Sequence, residues 1–151
     1  MVSRFAADPN CKDCGRKKGP RQIDQMRCFT CQRIVKAAAA NRSHGLHILT
    51  TYGITSEEYT ALWQFQGGKC AICVKASGAT RRLAVDHNHK CPTKSHDPKL
   101  GCPECVRGLL CGKCNVFLGY IRDDASIGGR IGRYLTEPPF QLLRAKMGLA
   151  A

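Results

Sequence analysis

Asp86-His87-Asn88-His89 sets a carboxylate, an amide and two imidazoles in a row, and Asn115 follows a cysteine pair further along the chain. Asp86 and Asn115 offer oxygen atoms, the donors a hard divalent ion such as Mg2+ or Mn2+ prefers while keeping positions open for water and phosphate. A histidine that titrates near neutrality can take a proton from an attacking water. The ion can then stabilise charge on the phosphate and on the leaving oxygen. Together these residues suit hydrolysis of a phosphodiester. Taken singly each has a plainer reading: an Asp-His pair is usually a surface loop, and an Asn after a cysteine knuckle is often a turn residue.

The cysteines carry a second chemistry. There are eleven, and ten fall into five Cys-x-x-Cys pairs: Cys11/Cys14, Cys28/Cys31, Cys70/Cys73, Cys102/Cys105 and Cys111/Cys114. Cys91 stands alone. Two thiols three residues apart can point at one tetrahedral ion, and a second pair completes its shell. An odd number of cysteines suits disulfides poorly, and a redox motif would explain one pair but not five. Cys14 and Cys28 are separated by 13 residues, a zinc-ribbon spacing, so Cys11, Cys14, Cys28 and Cys31 form one expected zinc site. Cys70, Cys73, Cys111 and Cys114 form a second. Cys91, Cys102 and Cys105 remain, and His96 between them gives C-x4-H-x5-C-x2-C, a third expected zinc site.

Those sites must be held by elements, and the chain is 151 residues long, enough for one ordinary domain or a few small ones. Aromatic residues make up 7%, with one Trp, which argues against one large core. Nothing approaches a membrane span, and the first residues lack the apolar stretch of a secretory signal, so a cytoplasmic setting is expected. Lys plus Arg number 24 against 11 acidic residues, a formal charge of +13. Three thiolate-bound zincs would leave roughly +8. That charge points to a polyanionic partner, with nucleic acid foremost.

Residues 1–36 read as a basic N-terminal zinc module, nine Lys or Arg against three Asp. Its basic residues suit phosphate contacts without base reading. Residues 37–69 read as a helical connector. Lys36 to Arg42 has high helix propensity, with an end expected at Ser43-His44-Gly45. His44 and His47 read as surface or helix-end residues. Thr55 and Glu58 make a capping box for a helix that Gly67-Gly68 ends. Tyr59 and Trp63 on that helix are expected to pack rather than to stack on bases. Residues 70–124 form the expected catalytic core, with a zinc-bearing insertion at 90–105. Inside it, residues 81–85 and 106–110 read as strands and 112–122 as a helix. Strand alternation sets Asp86 and His87 on opposite faces, so both reach one ion only if the strand ends or bulges there. Two further helices fill 125–151. The expected fold class is a small zinc-stabilised α+β protein.

The segments Cys70-Ala-Ile-Cys73, Ala84-Val85-Asp86-His87-Asn88-His89, Arg107-Gly108-Leu109-Leu110-Cys111-Gly-Lys-Cys114-Asn115 and Leu118-Gly119 resemble the phage recombination endonuclease VII family. That family belongs to the HNH, or His-Me finger, nucleases. The resemblance covers about residues 50–137. It implies a β-hairpin plus helix around one catalytic metal, beside a structural zinc at Cys70, Cys73, Cys111 and Cys114. It assigns His87 as general base, Asp86 and Asn115 as ligands of the catalytic ion, and His89 to the metal or the phosphate. DNA is the implied substrate, branched DNA or phage recombination and packaging the implied setting, and a homodimer or a phage protein the implied partner. The cytoplasm would then be that of the host. Three features depart from the family pattern. Asn88 stands where a second Asp is common, the hairpin connection carries the cysteine-rich insertion, and only 36 residues follow Asn115. The competing classes are a non-catalytic zinc module binding DNA or RNA, and an interaction protein docking on phage machinery.

Overall fold

The computed structural model describes residues 8–22, 24–91, 97 and 99–149. The chain forms two compact units, Met1–Thr51 and Tyr52–Ala151.

In the first unit the Cys11/Cys14 pair sits in a tight turn. The Cys11 amide donates to Arg16 O at 2.9 Å and the Gly15 amide to Cys11 O at 2.8 Å. Gly15 has φ +68°, a conformation that costs glycine nothing. Asn10 and Lys17 pair as an isolated antiparallel bridge across this turn. The second pair departs from ribbon geometry. Cys28 immediately precedes helix α1 (Phe29–Tyr52), and Cys31 lies in its first turn, buried. α1 also runs past the end expected at residues 43–45. A helix-interior Gly45 costs only about 1 kcal/mol, and the helix stops instead at Gly53, where φ is +69°.

The second unit opens with helix α2 (Ser56–Phe65), whose Thr55/Glu58 capping box is complete. Tyr59 Oη donates to Leu83 O at 2.8 Å, and Trp63 Nε1 donates to Ser77 O at 3.2 Å. Both side chains therefore pin the loop that follows the Cys70/Cys73 turn through hydrogen bonds, and Trp63 stays exposed rather than packed in a core. Strand β1 (Ala84–His87) and strand β2 (Val106–Leu110) form an antiparallel hairpin. β2 has the expected bounds, while β1 begins later than expected and runs through the Asp-His pair. Leu83, Val85, Leu109 and Leu110 are buried and make most of the apolar core. Gln66 completes the sheet edge: its Nε2 donates to Leu109 O at 2.9 Å, and its Oε1 accepts from Leu109 N at 2.8 Å. A side-chain amide thus takes the place of a third strand's backbone.

Helix α3 (Gly112–Tyr120) packs on both strands. Helix α4 (Ala125–Thr136) is capped by Asp124, which accepts from Ser126 N at 2.8 Å. Helix α5 (Pro139–Lys146) starts with proline at its first position, where no amide is needed. No described helix is long and apolar enough to cross a membrane.

Candidate active site

The hairpin ladder breaks where the chemistry is expected. Asp86 pairs with Gly108 and His87 with Val106, so Arg107 is left unpaired between them. This is a β-bulge, an extra residue that bends one strand and re-aims side chains. Beside it Asp86 and His87, which strict alternation would separate, both line one cleft of about 100 Å3. Both are buried, at 7% and 9% exposure. Asn115 enters the same cleft from the start of α3, and His89 enters it just beyond β1. All four expected site residues therefore converge.

The bulge also turns Arg107 onto Asp86. Nε donates to Oδ2 at 2.7 Å and Nη2 to Oδ1 at 2.9 Å, a bidentate pair that sets the carboxylate plane. Arg107 Nη2 donates as well to Asp123 Oδ1 at 2.9 Å. These bonds, led by those to Asp86, hold the guanidinium pKa above its ordinary value. Asp123 Oδ2 lies 3.2 Å from His89 Nδ1. Burial pushes the Asp123 carboxyl up, but the hydrogen bonds from Arg107 and His89 outweigh it and leave the group below the usual carboxylate range.

Tyr52, the last residue of α1, forms one wall. Its ring centroid is 5.3 Å from that of His87, and the His87 and His89 centroids are 4.7 Å apart. Burial, and then the Asp86 charge, push the Tyr52 hydroxyl pKa up. Gly101 makes this stacking possible: a Cβ there would lie 2.8 Å from Tyr52 Cδ1 and 3.5 Å from the His87 ring. Asn88, the departure from the family pattern, is not among the cleft-lining residues. Its Oδ1 accepts from Lys90 N at 3.0 Å in a local turn, and its own amide donates to Cys105 O at 2.8 Å.

Arg107 stands in the sequence only as part of a motif, and Asp123 and Tyr52 carry no expectation there.

The thiols gather as their spacing predicts. Cys11, Cys14, Cys28 and Cys31 form one group and Cys70, Cys73, Cys111 and Cys114 a second. Cys91, Cys102 and Cys105 form a third, and in each group the sulfurs lie within 4.8 Å of one another. His96, the expected fourth ligand of the third group, lies outside the described residues. Zinc–thiolate bonds of about 2.3 Å in a tetrahedron put neighbouring sulfurs roughly 3.8 Å apart. Cys14 and Cys28 are 3.8 Å apart, Cys73 and Cys111 3.9 Å, and Cys91 and Cys102 3.6 Å. Cys102 and Cys105 are closer, at 3.3 Å. Backbone N–H groups favour the thiolate at Cys11 and Cys73, while the neighbouring Cys28 thiol pushes Cys31 up and burial pushes Cys114 up. The N–H of Cys28 leads in lowering the Cys11 pKa to about 6, and those of Ala76 and Lys75 lead in lowering that of Cys73 to about 6. These groups are chemically suited to zinc.

The basic residues of the first unit divide. Lys12, Arg16, Lys17, Arg21, Arg33 and Lys36 are exposed. Lys18 is buried and donates to Gln25 O, and Arg27 pairs with Asp13 at 2.7 Å. Arg4 lies outside the described residues.

Comparison with known proteins places this arrangement. The chain is 43% identical over 134 residues to the Gene 59 protein of Mycobacterium phage D29, covering 85% of this chain and 74% of that protein. It is 40% identical over 134 residues to the Gene 59 protein of Mycobacterium phage L5, with the same coverage. No solved structure matches. Residues 45–137 match the family described as recombination endonuclease VII, a span that contains the cleft and the second and third thiol groups. The chain therefore belongs to the recombination endonuclease VII family.

Proposed function

We propose that the protein is a metal-dependent DNA endonuclease of the HNH, or His-Me finger, type. The observation that supports this reading is that Asp86, His87 and Asn115 line one cleft, beside the bulge in the hairpin and at the start of α3. Asp86 and Asn115 are oxygen donors fit for Mg2+ or Mn2+. Each Asp86 oxygen accepts one bond from Arg107 and keeps further lone-pair capacity, so the ion pair and metal ligation are compatible. When bound, the ion supplies Lewis-acid stabilisation of the phosphate and the leaving oxygen.

The rest falls to the chain's own residues. His87, confined between the Tyr52 and His89 rings, takes the proton of the attacking water on a ring nitrogen. Arg107 fixes the plane of the Asp86 carboxylate. His89, in the same cleft, would hold the ion or the phosphate. The exposed basic residues of the first unit grip the DNA backbone. The expected products carry 5′-phosphate and 3′-hydroxyl ends.

The other reading draws on the same ion pair. In a non-catalytic zinc module, Arg107–Asp86 would simply knit β2 to β1, and the protein would bind nucleic acid or phage machinery without cutting. Incubation with linear, nicked and four-way-junction DNA separates the two. The nuclease reading expects cleavage with Mg2+ or Mn2+ and none after the divalent ion is withheld, with faster cutting of the junction if branched DNA is the substrate. Stable binding to all three DNAs with no cleavage in either metal would leave only the non-catalytic module.

Zinc fills the thiol groups in this reading, with His96 completing the third. Elemental analysis of protein purified without added metal should return three zincs per chain. Two per chain would remove the site at Cys91, His96, Cys102 and Cys105.

A further inference from the structure

The turn after α3 is built in an unusual way. Arg122 and Asp123 have φ of +52° and +57°, two consecutive non-glycine residues in the left-handed region. The Asp123 amide donates to Leu118 O at 3.0 Å and the Arg122 amide to Gly119 O at 3.1 Å, so this turn closes the helix. Helices that end this way usually place glycine there, because other residues adopt the conformation at a cost. This chain places an aspartate there, and the conformation turns its carboxylate back into the cleft. The next residue, Asp124, points the other way and caps α4. Strained positions of this kind concentrate at functional sites.

We propose that Asp123 is a positioning residue of the cleft, its one carboxylate fixing the tautomer of His89 and, through Arg107, the plane of the Asp86 carboxylate. The inference rests on the nuclease reading for its kinetic consequence, but its geometry stands apart from that reading. An ionised carboxylate only accepts hydrogen bonds, so the His89 Nδ1 that faces Asp123 Oδ2 at 3.2 Å must carry the hydrogen. In the neutral ring Nε2 then keeps its lone pair, the state a histidine needs to bind an ion or accept a proton. The other oxygen accepts from Arg107 Nη2, the same nitrogen that donates to Asp86 Oδ1. Asp86, Arg107, Asp123 and His89 thus form one continuous chain of hydrogen bonds along the cleft.

Asp123→Asn tests this. Asparagine is nearly isosteric and is the side chain that best tolerates the left-handed region after glycine, so the turn is kept. Arg107 can only donate, so the amide oxygen must face it, and the amide NH2 must face His89. Nδ1 then has to accept, and the hydrogen moves to Nε2. The readout is the 15N spectrum of the His89 ring in zinc-loaded full-length protein without Mg2+, at about pH 8, above the ordinary histidine range. The wild type should show the Nδ1–H tautomer and Asp123→Asn the Nε2–H tautomer, with zinc content unchanged. With Mg2+ added, kcat should fall about 10–100-fold while KM for DNA stays close to the wild-type value. An Nε2–H tautomer in the wild type overturns the proposal. So does an Asp123→Asn protein that loses activity with its tautomer unchanged. A tautomer switch in a protein whose wild type cuts no DNA supports the positioning role and removes the nuclease reading instead.

Discussion

His87→Ala should bind DNA as the wild type does, keep its full zinc content, and cleave about 10²–10⁴-fold more slowly, the range a lost general base commands. The separation of activity from fold is expected because of where His87 sits. Its backbone pairs with Val106 in the ladder, and alanine preserves that pairing. Its ring contributes to the cleft wall between Tyr52 and His89, not to the apolar core of Leu83, Val85, Leu109 and Leu110. It belongs to none of the three thiol groups. Asp86→Ala would be a poorer probe, because it also strips Arg107 of its bidentate partner and leaves a part-buried guanidinium with Asp123 alone. Single-turnover cleavage with saturating enzyme measures the effect on chemistry free of binding. Undiminished cutting by His87→Ala would remove the general-base assignment, whatever the fate of the other residues.

The parts of this molecule that were legible in its sequence are those fixed by local chemistry. The Thr55/Glu58 box, the strand at 106–110 and the gathering of cysteines each follow from residues a few positions apart or from the demands of one tetrahedral ion. The parts that were not legible depend on register or on strain. Alternation implies that Asp86 and His87 share a site only if the strand ends or bulges there. It could not say that the bulge lies on the opposite strand, or that the extra residue is Arg107, because that follows from how two segments some twenty residues apart in sequence align. The length of α1 was underestimated because Gly45 reads as a stop, while the residue that stops the helix is Gly53, eight positions on. Asp123 was hidden by its neighbour. Both precede α4, and only Asp124 caps it, while Asp123 faces His89. The signal that could have singled Asp123 out was the missing glycine: α3 ends without the residue that usually makes that turn.

Cys70→Ser should have the opposite signature to His87→Ala, losing fold and activity together. Cys70 is 1% exposed, and its group joins the turn at residues 70–74 to Cys111 and Cys114 at the start of α3, the helix that carries Asn115. The apolar core of this unit is small, and Ile72, Val74, Val116 and Phe117 beside the thiols are exposed. Val74 even sits at φ +57°, a conformation that a β-branched residue adopts only when held there. The Val74 amide donates to Cys70 O at 3.0 Å, so the turn that would carry the ion is also what holds Val74. Structural zinc contributes about 10–16 kcal/mol in small modules, against a total stability of about 5–15 kcal/mol for an ordinary domain. Weakening that one site therefore threatens the whole margin. The expected result is rapid proteolysis within residues 52–151 and no cleavage of DNA. The Cys11, Cys14, Cys28 and Cys31 group, which lies in the other unit, should keep its zinc. A Cys70→Ser protein that resists protease and still cuts DNA would show that the hairpin and α3 hold together without a four-thiolate zinc, and the structural role assigned to that site would fail.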